Sequence, residues 1–201
     1  RDPHGTCRRQ RQMCIRDSWE SVEFNLRDDT NIRGISPYIE TEALIKSKSA
    51  VAGVLVNGVI ASKDKSVSVI HEFMQTGNFE KIQTSNNIVL GRLLARKLNV
   101  DVGDKISLML PDTSSSFAGY FPKSKVFNIS GIFNIGSKDI DETLAYISLE
   151  NASILTGLKN QVHGFRLKFD DLFEAPYLVW QSLIFAEKNS NVLLNAEDWS
   201  Y

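Results

Sequence analysis

The sequence predicts an α+β protein in which both chain ends build one subdomain and the middle forms an inserted, β-rich second one. Three observations carry this expectation. Residues 19–48 read as helix, strand, strand, and residues 162–201 as strand, helix, strand. Between them, 49–161 is dominated by short apolar runs separated by turn signals. Two of those runs, KISLML and KVFNISGIFNI, are joined by an aromatic-rich connection long enough to form a protruding hairpin hook at 111–122.

Composition limits the class of protein. With 201 residues the chain can bury a real core in one or two modest domains. It is 42% apolar and 23% charged, as soluble globular domains are, and a net charge of −1 gives no basic field for nucleic acid. The longest apolar run, AVAGVLVNGVIA, contains Asn57 and is shorter than the roughly 20 residues that cross a bilayer.

Residues 1–18 stand apart. RDPHGTCRRQRQMCIRDS has no helical or strand period, holds five arginines, and contains both cysteines, Cys7 and Cys14. It lacks the apolar core of a signal peptide. Its ending, MCIRDS, resembles the translated read-through of a sequencing adapter, so the segment is expected to be foreign and disordered. The remainder carries 18 basic and 22 acidic residues and no cysteine, which suits an extracytoplasmic location.

In chain order, WESVEFNLR reads as a helix end and DDTN as a turn. GISPYIETEALI reads as two short strands broken at Pro37, because proline donates no ladder hydrogen bond. VAGVLVNGVI is continuous enough to be a strand buried on both faces, and ASKDKS reads as a solvated turn. SVIHEFMQTG reads as a short helix closed by Gly77. Leu90, Leu93, Leu94 and Leu98 recur at helical spacing, with Arg92, Arg96 and Lys97 on other faces. Val102-Gly103-Asp104 turns the chain into KISLML.

Beyond the long connection, Phe127, Ile129, Phe133 and Ile135 alternate along one face, and Gly131 marks a candidate bulge. LAYIS is a strand. Ser148 caps the helix LENASILTG, which Gly157 closes. VHGFRLKF alternates His163, Phe165, Leu167 and Phe169 on one face. Asp170 and Asp171 precede a helix that accepts Pro176 in its first turn and runs to about Lys188, and NVLLN is the closing strand.

Catalytic chemistry is not apparent. No phosphate loop, GxGxxG or GxSxG is present. The DIDE of 139–142 has carboxylates for a hard cation but reads as a solvated turn. His71 beside Glu72 lacks the HExxH spacing, and His163 on its apolar face reads as a packed histidine rather than a general base. The expectation is a non-enzymatic protein without metal or cofactor.

The connection PDTSSSFAGYFP, residues 111–122, therefore carries the functional weight. Pro111 and Pro122 bracket it, three serines and Gly119 permit a sharp turn, and Phe117, Tyr120 and Phe121 supply rings. Two readings remain open from the residues alone: an Ω-loop folded back on the body, or a hook offering rings to a partner.

NIVLGRLLARKLNVDVGDKISLMLP, followed by VFNISGIFNIGSKDIDETLAYISLENASIL and HGFRLKFDDLFEAP, resembles the lipoprotein-releasing ABC transporter permeases of the LolC/LolE family, over about 34–201. The resemblance implies a MacB-like periplasmic domain lying between the first two membrane helices of an inner-membrane permease. A porter-like subdomain would comprise 19–48 and 162–201, and the β-rich insertion 49–161. It implies a transport subunit, with ATP hydrolysed by a separate cytoplasmic subunit and a second permease subunit alongside. Lipoprotein would be the cargo and a periplasmic lipoprotein chaperone the acceptor. The family's chaperone-recruiting hook falls on Pro111, Phe117, Ala118, Gly119, Tyr120, Phe121 and Pro122. The competing readings are a MacB-type efflux or mechanotransmission domain and a small-ligand-binding module.

Overall fold

The computed structural model describes residues 19–27, 29–110, 123–170 and 174–190. The expected disorder of 1–18, the hook at 111–122 and the strand NVLLN lie outside the described residues. The chain opens with helix α1 (Trp19–Arg27), whose Val22, Glu23 and Leu26 turn inward. Strand β1 (Ile32–Lys46) follows and is unbroken at Pro37. The expected break does not occur because two different partners share the strand. Its first half, through Tyr38, pairs with β8 (Gly164–Phe169), and from Tyr38 onward it pairs with β2 (Val51–Val59). At Pro37 only the β8 side is paired among the described residues, so a missing N–H is tolerated there.

Six strands close on themselves. β1 pairs with β2, which runs parallel to β7 (Leu144–Ser148). β7 pairs with β4 (Asn87–Gly91), and β4 runs parallel to β6 (Lys123–Phe133). β6 pairs with β5 (Lys105–Leu110), and β5 returns to β1 through Ile45↔Leu108. β8 and the short β3 (Met74–Gly77) attach outside this ring, on β1 and β6. Alternation of side chains then defines the interior. Ile39, Ala43, Ile45, Val54, Val56, Ile88, Leu90, Ile106, Leu108, Phe127, Ile129 and Ile147 are buried in one cluster. Helix α3 (Arg92–Leu98) adds Leu94, Ala95 and Leu98 to it, and α5 (Leu149–Thr156) adds Ala152 and Leu155.

A second cluster covers part of the ring's outer face. Val59, Ala61, Ile70, Phe79, Ile82, Val89, Phe133 and Tyr146 pack there, with Tyr146 edge-on to both Phe79 and Phe133. Only the C-terminal half of β2 lies between the two clusters. Val51 is exposed and Gly53 has open space beside it. The expectation of a strand buried on both faces thus holds from Val56 to Val59 and fails before it.

Four further expectations are corrected. ASKDKS is not a solvated turn: Ala61–Asp64 forms a short helix, α2, with Ala61 and Asp64 buried. Residues 68–77 are not one helix. They form a 3-10 turn (Ile70–Phe73) and then β3, whose backbone pairs with β6 instead of with itself. Leu90 belongs to β4, and the helix starts only at Arg92; Leu90, Leu94 and Leu98 are buried while Leu93 is half-buried. Finally, Phe127, Ile129 and Phe133 do not share a face. The β4–β6 register jumps from Ile88↔Ile129 to Val89↔Gly131. This bulge, at the glycine the sequence flagged, inverts the parity, so Ile132 joins the first cluster and Phe133 the second. A Cβ on Gly131 would lie 2.3 Å from Met74 Cε.

The remaining elements follow the sequence closely. Ser148 accepts a hydrogen bond from the Asn151 N–H, and Gly157 ends α5 at φ +78°. Helix α6 (Ala175–Ser190) follows β8 and packs against α1. One more expectation is corrected at 139–142, which is no solvated turn: it lies within helix α4 (Lys138–Thr143), where Asp141 is buried.

Candidate functional site

Two places differ from ordinary structural packing. The first is the β5–β6 hairpin. Its ladder is unbroken from Lys105↔Asn128 to Leu110↔Lys123, so the twelve residues of 111–122 connect two strand ends that are paired to the last residue. Pro111, Phe117, Ala118, Gly119, Tyr120, Phe121 and Pro122 all lie in this connection, outside the described residues. The described base is informative. Ile106 and Leu108 point into the first cluster, leaving Ser107 and Met109 on the other face. There Ser107 sits across from Val126, and Met109 across from Leu44. Leu44, Val51 and Val126 are exposed, so the outer sheet face beneath the connection is partly apolar.

The second place is a buried polar cluster that the sequence did not suggest. Asp64, at the end of α2, is 1% exposed. Arg166 on β8 approaches it with Nη1 3.8 Å from Oδ1 and lies 3.6 Å, through Nη2, from Oε2 of Glu40 on β1. Nη2 donates to Asn57 Oδ1 at 2.5 Å, and the guanidinium lies 4.9 Å from the Tyr38 ring centre. Burial pushes the Asp64 carboxyl above its ordinary pKa, with Arg166, His71 and the Ser68 hydroxyl opposing that shift. Tyr146 is pushed up to about 12, chiefly by burial. Nearby, Lys63 donates to both carboxylate oxygens of buried Glu23 at 2.7 Å, and Arg27 donates to Glu23 Oε1 at 2.8 Å, which ties α2 to α1.

The titratable residues singled out by sequence have structural employment. Asp141 is buried and accepts from the N–H groups of Ile135 and Gly136 at 3.0 and 2.9 Å. Glu142 pairs with Lys97 at 2.9 Å, and the Asp139 carbonyl accepts from the Thr143 hydroxyl at 2.5 Å. His163 Nδ1 accepts from the Glu40 N–H at 3.1 Å, which fixes the ring against β1, and burial lowers its pKa. His71 stands 3.9 Å from Glu72. No group of three or more metal-ligating side chains, and no helix long and apolar enough to cross a membrane, occurs among the described residues.

No protein-family model matches the chain. Curated relatives do. The lipoprotein-releasing system transmembrane protein LolC of Xylella fastidiosa (strain Temecula1) is 31% identical over 158 residues, covering 78% of this chain and 38% of that protein. LolC of Neisseria meningitidis serogroup B is 30% identical over 180 residues, 88% of this chain and 43% of the relative. LolE of Haemophilus influenzae is 30% identical over 158 residues, 78% and 38% respectively. The chain thus spans about two-fifths of the length of the relatives it matches.

Two solved structures share the fold at 9% sequence identity. They are the extracellular domain of the noncanonical ABC-type transporter YknZ, with a TM-score of 0.62 over 87% of this chain and 84% of that one, and the periplasmic region of MacB from Actinobacillus actinomycetemcomitans, with a TM-score of 0.57 over 84% and 72%. The chain belongs to the LolC/LolE family of lipoprotein-releasing-system transmembrane proteins, and its fold is that of the MacB-like domains which ABC-type transporters carry outside the membrane.

Proposed function

We propose that this chain is the periplasmic domain of an inner-membrane permease that releases lipoproteins and passes them to a periplasmic chaperone through the connection 111–122. The observation that carries the reading is the β5–β6 ladder. A hairpin paired to its last residues, Leu110↔Lys123, would need only about two to five residues to turn, yet twelve intervene and three are aromatic. The apolar outer face at its base, with Leu44 and Val126 exposed, would add contact area for a partner reaching the rings.

In this reading the domain is a non-enzymatic transport subunit. ATP hydrolysis belongs to a separate cytoplasmic subunit, a second permease subunit stands beside it, and flanking membrane helices anchor it. The porter-like part comprises 19–48 and 162–201, and the insertion 49–161. β1 is the element the two parts share, since it pairs with β8 on one side of Tyr38 and with β2 on the other.

Binding of the purified chaperone tests the proposal. Fully burying one Phe side chain is worth about 1.5–3 kcal/mol, and a loss of about 2 kcal/mol weakens binding roughly thirtyfold. Phe117→Ala should therefore raise the Kd by one to two orders of magnitude and leave the Tm nearly unchanged. Unchanged affinity after replacing 113–121 with a short Gly-rich turn would remove the chaperone role from this stretch. The likeness to the MacB periplasmic region favours a second reading, an efflux or mechanotransmission domain. In that case the intact chain would show no specific affinity for the lipoprotein chaperone.

A further inference from the structure

Arg166 stands between two carboxylates and hydrogen-bonds to neither. Its 3.8 Å separation from Asp64 Oδ1 and 3.6 Å separation from Glu40 Oε2 both exceed the usual 2.7–2.9 Å, roughly, of a charge-assisted bond. Its close contact is neutral, to Asn57 Oδ1 at 2.5 Å. Asp64 Oδ1, meanwhile, is buried without a hydrogen-bond partner among the described residues, a state that native structures rarely leave unused. The two seats differ in surroundings. Asp64 lies inside, 1% exposed, whereas the side chains of Glu40 and Arg166 are 31% and 30% exposed at the rim. A movement of about 1 Å by the guanidinium would complete either pair at ordinary bond length.

We propose that Arg166 is a two-position charge switch, seated on Asp64 when that carboxyl is ionised and on Glu40 when it is protonated. With Asp64 charged, the inner seat offers an anion shielded from water, where attraction is strongest. With Asp64 neutral, Glu40 is the acidic side chain left within reach, and the guanidinium moves to the rim. Groups from several elements face Asp64 or Arg166: His71 from the 3-10 turn, Tyr146 from β7, Asn57 from β2, Glu40 from β1 and the Ser68 hydroxyl after α2, while Glu80 on the second 3-10 segment is taken up by Lys65. Lys63 on α2 is occupied by Glu23. Burial raises the proton affinity of Asp64, which moves the transition above the ordinary aspartate range. The switch ties β8 to β2 and α2, neither of which pairs with β8 directly, so its setting changes how β8 is held. The proposal is independent of the cargo.

Nuclear magnetic resonance on the full chain tests it. The Asp64 carboxyl 13C and the Arg166 guanidinium 15N resonances should titrate with one shared midpoint, above the ordinary aspartate value of about 3.9. Asp64→Asn should hold Arg166 at neutral pH in the state the wild type reaches only in acid. Glu40→Gln, at the rim, should move the Asp64 midpoint down, because the guanidinium then has a single anionic seat. An Asp64 that titrates at the ordinary value, or Arg166 resonances that ignore its titration, would overturn the switch. If Asp64→Asn does not fold, Glu40→Gln decides alone: an unmoved midpoint rejects the proposal.

Discussion

One methyl group at Gly58 should disturb the core. A Cβ there would stand 2.1 Å from Ala152 Cβ, so β2 and α5 meet at a distance that only glycine permits. Gly58→Ala should cost about 1–3 kcal/mol by overpacking, and Ala152→Gly should recover part of that loss in the double variant, as read from urea midpoints. The leucines of 90–98 make a graded series. Leu90, Leu94 and Leu98 are fully buried, and each change to Ala should cost about 2–5 kcal/mol; the half-buried Leu93 should cost less. His163 adds a pH dependence. Burial holds its folded pKa below the unfolded value of about 6.5. The unfolded chain therefore binds the proton first, so this contribution is present above that value and declines as pH falls through it. Glutamine at 163 should flatten the fall in urea midpoint between about pH 7 and 5.5.

At the scale of elements, the β5–β6 hairpin was legible because its two signals are local. Alternating apolar residues define the strands, and two prolines mark where pairing stops. The capped helix α5 was legible for the same reason, through Ser148 and Gly157. Asp64 was not. ASKDKS has the composition of a surface turn, and the groups that meet Asp64 include Tyr146 and Arg166, brought from far along the chain. Arg166 was hidden similarly: in VHGFRLKF it occupies the polar face of an alternating strand, and nothing local tells that this face meets Asn57 and Asp64 rather than water. Residues 111–122 carry the opposite situation, a clear sequence signal in a stretch outside the described structure. Because the hairpin's inward residues, Ile106, Leu108 and Phe127, all precede or follow that stretch, replacing 113–121 should change stability by no more than about 0.5 kcal/mol. A loss of several kcal/mol in the melting curve would mean that the rings belong to the core.

At the scale of the whole molecule, the closed ring was beyond the reach of the sequence, because its parallel pairs, β2 with β7 and β4 with β6, join segments with no local signal for each other. β2, β4 and β7 each contribute residues to both clusters. Their amides should exchange with deuterium most slowly, and those of β3 and β8, outside the ring, sooner.

The shared strand β1 also has a consequence during synthesis. The ribosome delivers β1 early, and β2 directly after it can pair with residues 38–46 at once. The stretch from Ile32 to Pro37 must wait until β8 emerges, nearly at the end of the described chain. For that interval it is an open strand edge, the kind that recruits neighbouring nascent chains into aggregates. Pro37 sits in that waiting stretch. Lacking an N–H, it offers a poor template to a foreign strand, yet it does not prevent β8 from docking. The residue that sequence reasoning took for a break in the strand thus acts as its guard while the polypeptide is still incomplete.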